Sequence, residues 1–439
     1  MTRRWVPGNG WDALDGAQPD EPPTVTVVLA HYDQQADLDR SLAALAAQDY
    51  PRDRVQIVVA DDGSPEAPTV PEGVRLVRQA DRGFRLAAVR NLGAAQATGE
   101  VLCFIDADCT PEPGYLRAVT RLPALLPEAV VVGRRRHAEL DGVDGPIAEA
   151  GPARELEEPA WLREAYAGSR DLLDADQRSY RFVIGASITT TRWFLEQVGG
   201  FDESFDAYGG EDWEWTHRAW NAGAVLAHEP AAVLWHNGPE FAEREDVDEA
   251  ERVERQNPES IALSRRIAVP GSAGRGVRAA HPHVLVELLG EHRDTAVFAT
   301  VDALLCALPT AQVAVPAASA ALFPHDDRVV AHDDASTRAG VLVRVHEPLL
   351  VADAGAEALR ALLASLGGAS TERVLVHDDA GTLLLDAEAS RSTRRRERWG
   401  EEAVGERRER LAGVARLDGP LSLAALLGGW SSAQEELER

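Results

Sequence analysis

The chain has 439 residues and carries 72 Asp and Glu against 45 basic side chains, a formal net charge of -27. So acidic a surface disfavours any general affinity for nucleic acid or anionic lipid, and a phosphate ligand must be held by local groups. Apolar residues at 45 % and charged residues at 27 % mark a globular chain, and the length suits two domains.

Every basic side chain is arginine, which we read as codon bias, with Arg then serving any phosphate contact bidentately. Cys103, Cys109 and Cys306 form neither a paired framework nor a CxxC, as expected of a reducing cytoplasm. The opening "MTRRWVPGNGWDALDG" has no apolar segment of the signal-peptide kind. The apolar stretch 308–324 is interrupted by Pro309, Pro316 and Pro324 and makes a poor membrane span.

Residues 1–23 form an irregular lead-in rich in Gly, Pro and Asp. "TVTVVLA" (24–30) is an apolar β-branched strand, and "DLDRSLAALAAQ" (37–48) places Leu38, Leu42 and Leu45 at helical spacing. "RVQIVVADDGS" (54–64) is a second strand ending in Asp61 and Asp62. A helix over 86–99 closes at Gly99, and "EVLCFIDAD" (100–108) is a third strand. Strands alternating with helices predict an α/β fold with a mostly parallel, Rossmann-like sheet, whose ligands sit outside the carboxyl ends of the strands. Both acidic pairs fall on that edge.

Residues 140–180 lose periodicity and are expected to form helices and loops over the sheet edge. The block 181–238 reads as strand, helix, Gly-rich loop, helix and strand, and 241–282 as a linker. In 283–439 a second α/β domain follows whose start resembles the first: "VAVPAAS" (313–319) stands where "VVADDGS" stood, and "LLVADAG" stands where "FIDADCT" stood. This reads either as a decayed duplication, in which Asp61 and Asp62 become Pro316 and Ala317 and Asp108 becomes Gly355, or as an unrelated α/β domain whose strand ends are alike by chance. The copy lacks the acids.

In an extended strand, residues two apart point the same way, so Asp106 and Asp108 project together. Carboxylates beside a diphosphate make sense with a bridging divalent cation, and Mn²⁺ or Mg²⁺ suits oxygen ligands. Alone, D-x-D is as well explained by a strand end or a helix cap. "YGGEDWEW" carries a second acid cluster, in which Glu211 and Asp212 stand at a helix start that would favour them as caps in any case.

Four ordered pieces over 24–238 resemble the family-2 glycosyltransferases of the GT-A fold: "VVLAHYDQQADLDRSLAALAAQDYP", "VVADDGS", "RNLGAAQATGEVLCFIDAD" and "VGGFDESFDAYGGEDWEWTHRAWNAG". The last is most similar to the galactosyl- and N-acetylgalactosaminyl-transferring members and the chondroitin-polymerase type. The first domain, 24–240, is thereby expected to be a GT-A domain and the second a degenerate copy for acceptor holding or self-association.

The resemblance implies an inverting, metal-dependent transfer from a nucleoside diphosphate sugar, UDP-linked, to a hydroxyl acceptor. Tyr32 would stack on the base and Asp61 or Asp62 would accept from its imide N–H. Arg90 would neutralise phosphate or pair with these acids. Asp106 would lie near the ribose or reach the metal through water, with Asp108 the direct ligand of the DXD motif. His236 would be the distant ligand, although His228 lies nearby. Asp212 would act as the base, with Glu211 on acceptor or donor hydroxyls. A retaining reaction on the same fold, nucleotidyl transfer, and a non-catalytic carbohydrate-binding scaffold are the competing readings.

Overall fold

The computed structural model describes residues 5–143, 145–239, 249–274, 277–370, 372–400 and 404–428. They form two units, Met1–Leu263 and Ser264–Arg439. In the first, the elements run β1 (Val25–His31), α1 (Gln35–Ala46), β2 (Val55–Asp61), β3 (Arg75–Arg78), α2 (Leu86–Ala94), β4 (Val101–Asp106), β5 (Cys109–Pro111) and α3 (Tyr115–Leu125). They continue with β6 (Ala129–Ala138), α4 (Ile147–Ala153), α5 (Ala160–Gly168), β7 (Ser187–Thr191), α6 (Arg192–Val198), α7 (Glu211–Asn221), β8 (Val225–Asn237) and α8 (Glu249–Ser264).

All seven residues of β1 are buried, as expected of a parallel strand covered on both faces. On one face Val27, Leu29, Cys103 and Ile105 pack with Leu38, Leu42 and Leu45 of α1 and Leu116 and Val119 of α3. On the other, Val28, Phe104 and Ile188 pack with Val89 of α2 and Trp215 of α7. The strand order is β3-β2-β1-β4-β7-β6-β8-β5. β1 pairs in parallel with both β2 and β4, whereas β7 runs antiparallel to β4 and β6. The chain steps outward from β1 through β2 and β3, then returns to β4 on its other side, which opens a crevice at the carboxyl ends of β1, β2 and β4. His31 pairs with Asp61 and Ala30 with Asp106 in register, so both acidic strand ends border that crevice.

Two expectations change. The lead-in is pinned, since the buried Asn9 donates to the Leu172 and Leu226 carbonyls and accepts from the Leu226 N–H. The region expected to be a linker contains α8, which belongs to the first unit up to Leu263.

The second unit runs β9 (Val284–Leu288), α9 (Asp294–Ala307), β10 (Gln312–Val315), α10 (Ala317–Ala320), β11 (Val329–Ala331), β12 (Val341–Val345), β13 (Leu349–Val351), α11 (Asp353–Ser365) and β14 (Glu372–His377). β15 (Leu383–Ala389), α12 (Ser390–Trp399), β16 (Gly405–Glu409) and β17 (Val414–Arg416) follow. Its seven-stranded sheet has the order β11-β10-β9-β12-β15-β14-β16, the same sequence of chain steps as β3-β2-β1-β4-β7-β6-β8. β13 pairs antiparallel with β17, as β5 does with the end of β8.

The ladders correct the expected correspondence. Val25 faces Val101 in the first sheet and Val284 faces Val341 in the second, so Asp106 and Asp108 fall on His346 and Pro348 rather than Asp108 on Gly355. Asp61 falls on Ala317, one position later than the sequence similarity suggests. The connection from Ala331 to Val341 has no counterpart of α2, and α12 leads almost directly to β16 without a counterpart of α7. The face that these helices cover in the first unit is apolar; in the second, Glu287, Arg344, Asp386 and Arg373 occupy the places of Val28, Phe104, Ile188 and Val130. Among the described residues, no helix is long and apolar enough to cross a membrane.

Candidate functional site

At the end of β2, Asp61 is fully buried and closed in by its own neighbours. His31 Nδ1 donates to Asp61 Oδ1 at 2.8 Å, since His31 Nε2 accepts from the Gln34 N–H, and the Ser64 hydroxyl donates to the same oxygen. Arg78 Nε donates to Asp61 Oδ2 at 2.7 Å. These donors hold the Asp61 carboxyl below its ordinary range against the opposing cost of burial. Asp61 is thus closed in by donors from its own surroundings. Asp62 is the more available of the two: each oxygen takes one donor, Gln79 Nε2 at 2.5 Å and the Arg85 N–H at 2.8 Å, and a carboxylate has room for more. Tyr32, at the tip of β1, is 46 % exposed and free to meet a planar ring.

β4 ends at Asp106, and the chain turns at once into β5, whose Cys109 pairs with His236 of β8. That pairing sets His236 Nε2 3.5 Å from Asp108 Oδ2. His236 Nδ1 lies 3.1 Å from the Gly238 carbonyl, which can only accept, so Nδ1 carries a proton and Nε2 is the nitrogen turned toward Asp108. A ring nitrogen fixed by a carbonyl on its far side is the arrangement of a metal-ligating imidazole. Burial raises the Asp108 carboxyl, with His236 opposing. Among the described residues no group of three His, Cys, Asp or Glu side chains is arranged to hold a metal by itself. The donor set of Asp108 and His236 nonetheless fits Mn²⁺ or Mg²⁺ completed by phosphate oxygens and water, as such ions are commonly bound.

Arg90 is 1 % exposed and lies on the face of α2 turned toward the sheet. Its Nη1 donates to Glu211 Oε1 at 2.7 Å and its Nη2 to Asp106 Oδ1 at 2.9 Å. The acids that Arg90 pairs with are thus Asp106 and Glu211 rather than the expected Asp61 or Asp62, and a phosphate would have to displace them. Gly185 is required beside it, because a Cβ there would lie 2.5 Å from Arg90 Nη2.

Glu211 and Asp212 open α7 behind Gly209 and Gly210, whose φ values of +90° and +93° suit glycine. Asp212 is fixed by two backbone donors, the Gly185 N–H on Oδ2 and the Trp213 N–H on Oδ1, each at 2.7 Å. Burial raises its carboxyl, with Arg90 opposing. Glu211, 3 % exposed, is pushed up to about 7 by burial first and by the Asp212 charge second, and its Oε2 has no hydrogen-bond partner. Arg90 thus bridges Asp106 at the end of β4 to Glu211 at the start of α7, with the His236–Asp108 pair two residues beyond Asp106 and Asp212 next to Glu211.

The structure also separates residues that sequence left alike. His228 bonds Asp171 at 2.7 Å and stacks on Tyr166 at 3.6 Å between ring centroids, so of the two histidines only His236 faces Asp108. Trp215 is core, whereas Trp213 is half-buried against the Tyr180 edge. The arginine run lies inside β6, where Arg134 bonds Glu158 and Arg136 covers the Trp235 ring at 4.3 Å. His31, Ser64, Arg78 and Gly185 had escaped notice. Only "DDGS" hinted at Ser64, and nothing local points to a backbone N–H that orients Asp212.

Residues 26–171 match the family model described as glycosyl transferase family 2, and residues 169–232 the model described as N-terminal domain of galactosyltransferase. A chondroitin synthase of Escherichia coli is 29 % identical over 248 residues, covering 50 % of this chain and 36 % of its own length. A validoxylamine A glucosyltransferase of Streptomyces hygroscopicus subsp. limoneus is 30 % identical over 219 residues, covering 45 % and 48 %. The solved mannosyltransferase of Pyrobaculum calidifontis, in complex with GDP-Man and Mn²⁺, is 20 % identical with a TM-score of 0.40 over 61 % of this chain and 66 % of its own. The chain thus spans less than half of the length of the two sequence relatives, and both family models match within its first unit. In residues 26–171 the chain is similar to the family-2 glycosyltransferases.

Proposed function

We propose that the first unit transfers a sugar from a nucleoside diphosphate sugar, UDP-linked, to a hydroxyl acceptor with inversion at the anomeric carbon. The observation that carries this reading is the Arg90 bridge from Asp106 to Glu211, which ties the strand end beside the His236–Asp108 pair to the helix start that holds Asp212. Tyr32 stacks on the base, and Asp62 accepts from the imide N–H, since Asp61 is already closed by Ser64, Arg78 and His31.

Asp108 and His236 hold the divalent ion, Mn²⁺ or Mg²⁺, and Asp106 stays near the ribose on its Arg90 tether. When bound, the ion supplies positive charge for a departing diphosphate. Asp212 takes the acceptor's hydroxyl proton. Its raised basicity favours that step, and the Gly185 and Trp213 N–H groups hold the carboxylate in place as the charge on it changes. Glu211 positions sugar hydroxyls while Arg90 keeps it from moving.

The test is incubation of the purified chain with UDP-glucose, UDP-galactose, UDP-N-acetylgalactosamine and GDP-mannose and a panel of sugar acceptors. We expect release of nucleoside diphosphate that EDTA abolishes and Mn²⁺ restores, and a product of inverted anomeric configuration by NMR. Release of pyrophosphate, or a retained configuration, would overturn the assignment.

A further inference from the structure

Helix α8 brings a third carboxylate to the acceptor side of the crevice. Glu259 and Leu263, one helical turn apart, lie against the Gly209–Gly210 loop: a Cβ on Gly209 would sit 2.8 Å from Glu259 Cδ, and one on Gly210 3.4 Å from Leu263 Cδ2. Leu263 is 4 % exposed while Ile261, on the far side of the helix, is 52 % exposed, so this face of α8 is the packed one. The two glycines leave no side chain between Glu259 and the start of α7. There, Glu211 Oε2 is buried with no partner, and the guanidinium that reaches these acids, Arg90, is already bound to Glu211 and Asp106.

We infer that Glu259 is a specificity residue of the acceptor pocket, and that with Glu211 and Asp212 it selects uncharged or amine-bearing acceptors and rejects carboxylate-bearing ones. This rests on the glycosyltransfer reading above. Physically, at about pH 8, above the values of about 7 to which Glu211 and Glu259 are raised, carboxylates at one hydroxyl-binding place accept hydroxyl and ammonium donors, whereas an acceptor carboxylate would meet like charges in a poorly solvated site. Burial first and the Glu211 charge second push the Glu259 carboxyl up to about 7. The glycines follow from the same geometry: any side chain at 209 would displace the Glu259 carboxylate.

The test measures binding directly, by saturation-transfer NMR on the full chain with UDP and Mg²⁺ present. The probes are methyl β-glucoside, its 2-amino-2-deoxy analogue and methyl β-glucuronide. We expect the glucuronide to bind at least about tenfold more weakly than the other two, and Glu259→Gln to close that gap by about threefold or more. Equal binding of the glucuronide, a gap unmoved by Glu259→Gln, or no binding of any of the three would overturn the proposal. Should the Gln variant fail to fold, the ranking by the wild-type chain decides alone. Donor turnover, followed separately as nucleoside diphosphate release, reports on the transfer reading itself, so the two failures are told apart.

Discussion

Arg90 and Asp106 come from a helix and a strand end, and the 2.9 Å bond between them ties the end of β4, through Arg90, to Glu211 at the start of α7. One buried cation thus bridges two acids that would otherwise repel each other. Removing a partner from a buried ion pair leaves an uncompensated charge, which costs about 3–5 kcal/mol. Arg90→Met should therefore lower the stability of the first unit by about that much, read by hydrogen exchange of the β1 and β4 amides, and abolish transfer. Unchanged protection of those amides would show that the bridge is not needed.

Asp212→Asn keeps shape while removing the proton acceptor. General-base catalysis contributes about 10²- to 10⁴-fold, so the rate of sugar transfer should fall by that factor while donor affinity, measured by calorimetry with UDP, stays put. Transfer at the wild-type rate would remove Asp212 from the base role.

For His236 the informative quantity is the metal titration. His236→Ala takes away the nitrogen that faces Asp108 at 3.5 Å, and the Mn²⁺ concentration needed for half-maximal activity should rise by about tenfold or more. A His228→Ala variant should leave that midpoint unmoved, because His228 is engaged with Asp171 and Tyr166.

The Glu259 carboxyl also carries a pH signature. Its folded value of about 7 lies above the ordinary 4.5, so the folded state binds more protons than the unfolded one between those values. The contribution is fully present below about pH 4.5 and is lost as pH rises through about 7. Relative to wild type, Glu259→Gln should show a shallower fall of melting temperature over that window. A parallel pair of curves would mean that the carboxyl is not held neutral.

In the second unit, Asp386 is fully buried and accepts from Arg344 and Arg373, each at 3.0 Å, and from His346 at 2.6 Å. Asp386→Ala removes the buried acceptor shared by Arg344, Arg373 and His346 and should destabilise the second sheet by about 3 kcal/mol, seen as faster amide exchange in β12, β14 and β15. Exchange in β1 and β4 should not change, since Asp386 lies in a different unit. Accelerated exchange in both sheets would contradict independent stability of the two units.

The sequence by itself determined the alternating strands and helices, the acids at the ends of "VVADD" and "FIDAD", and the Gly-Gly-Glu-Asp turn. Each depends on chain-local chemistry: apolar runs for buried strands, glycine for positive φ, and carboxylates placed next in sequence to what they serve. Even the likeness of the two units was visible in outline, from repeated strand patterns. Its register was not, because a one-residue offset between Ala317 and Pro316 is invisible until the ladder hydrogen bonds fix it.

Only the tertiary structure decided what each acid does. Asp61 and Asp62 are adjacent and identical in type, yet Ser64, Arg78 and His31 close one while the other keeps room. His228 and His236 stand on one strand, and the β5 pairing aims only His236 at Asp108. Glu259 sits in a stretch whose composition suggested a linker, and the folded helix places it over the glycine loop. Charge, hydrogen bonding and desolvation act through space, between residues such as Arg90 and Glu211 that the chain keeps far apart.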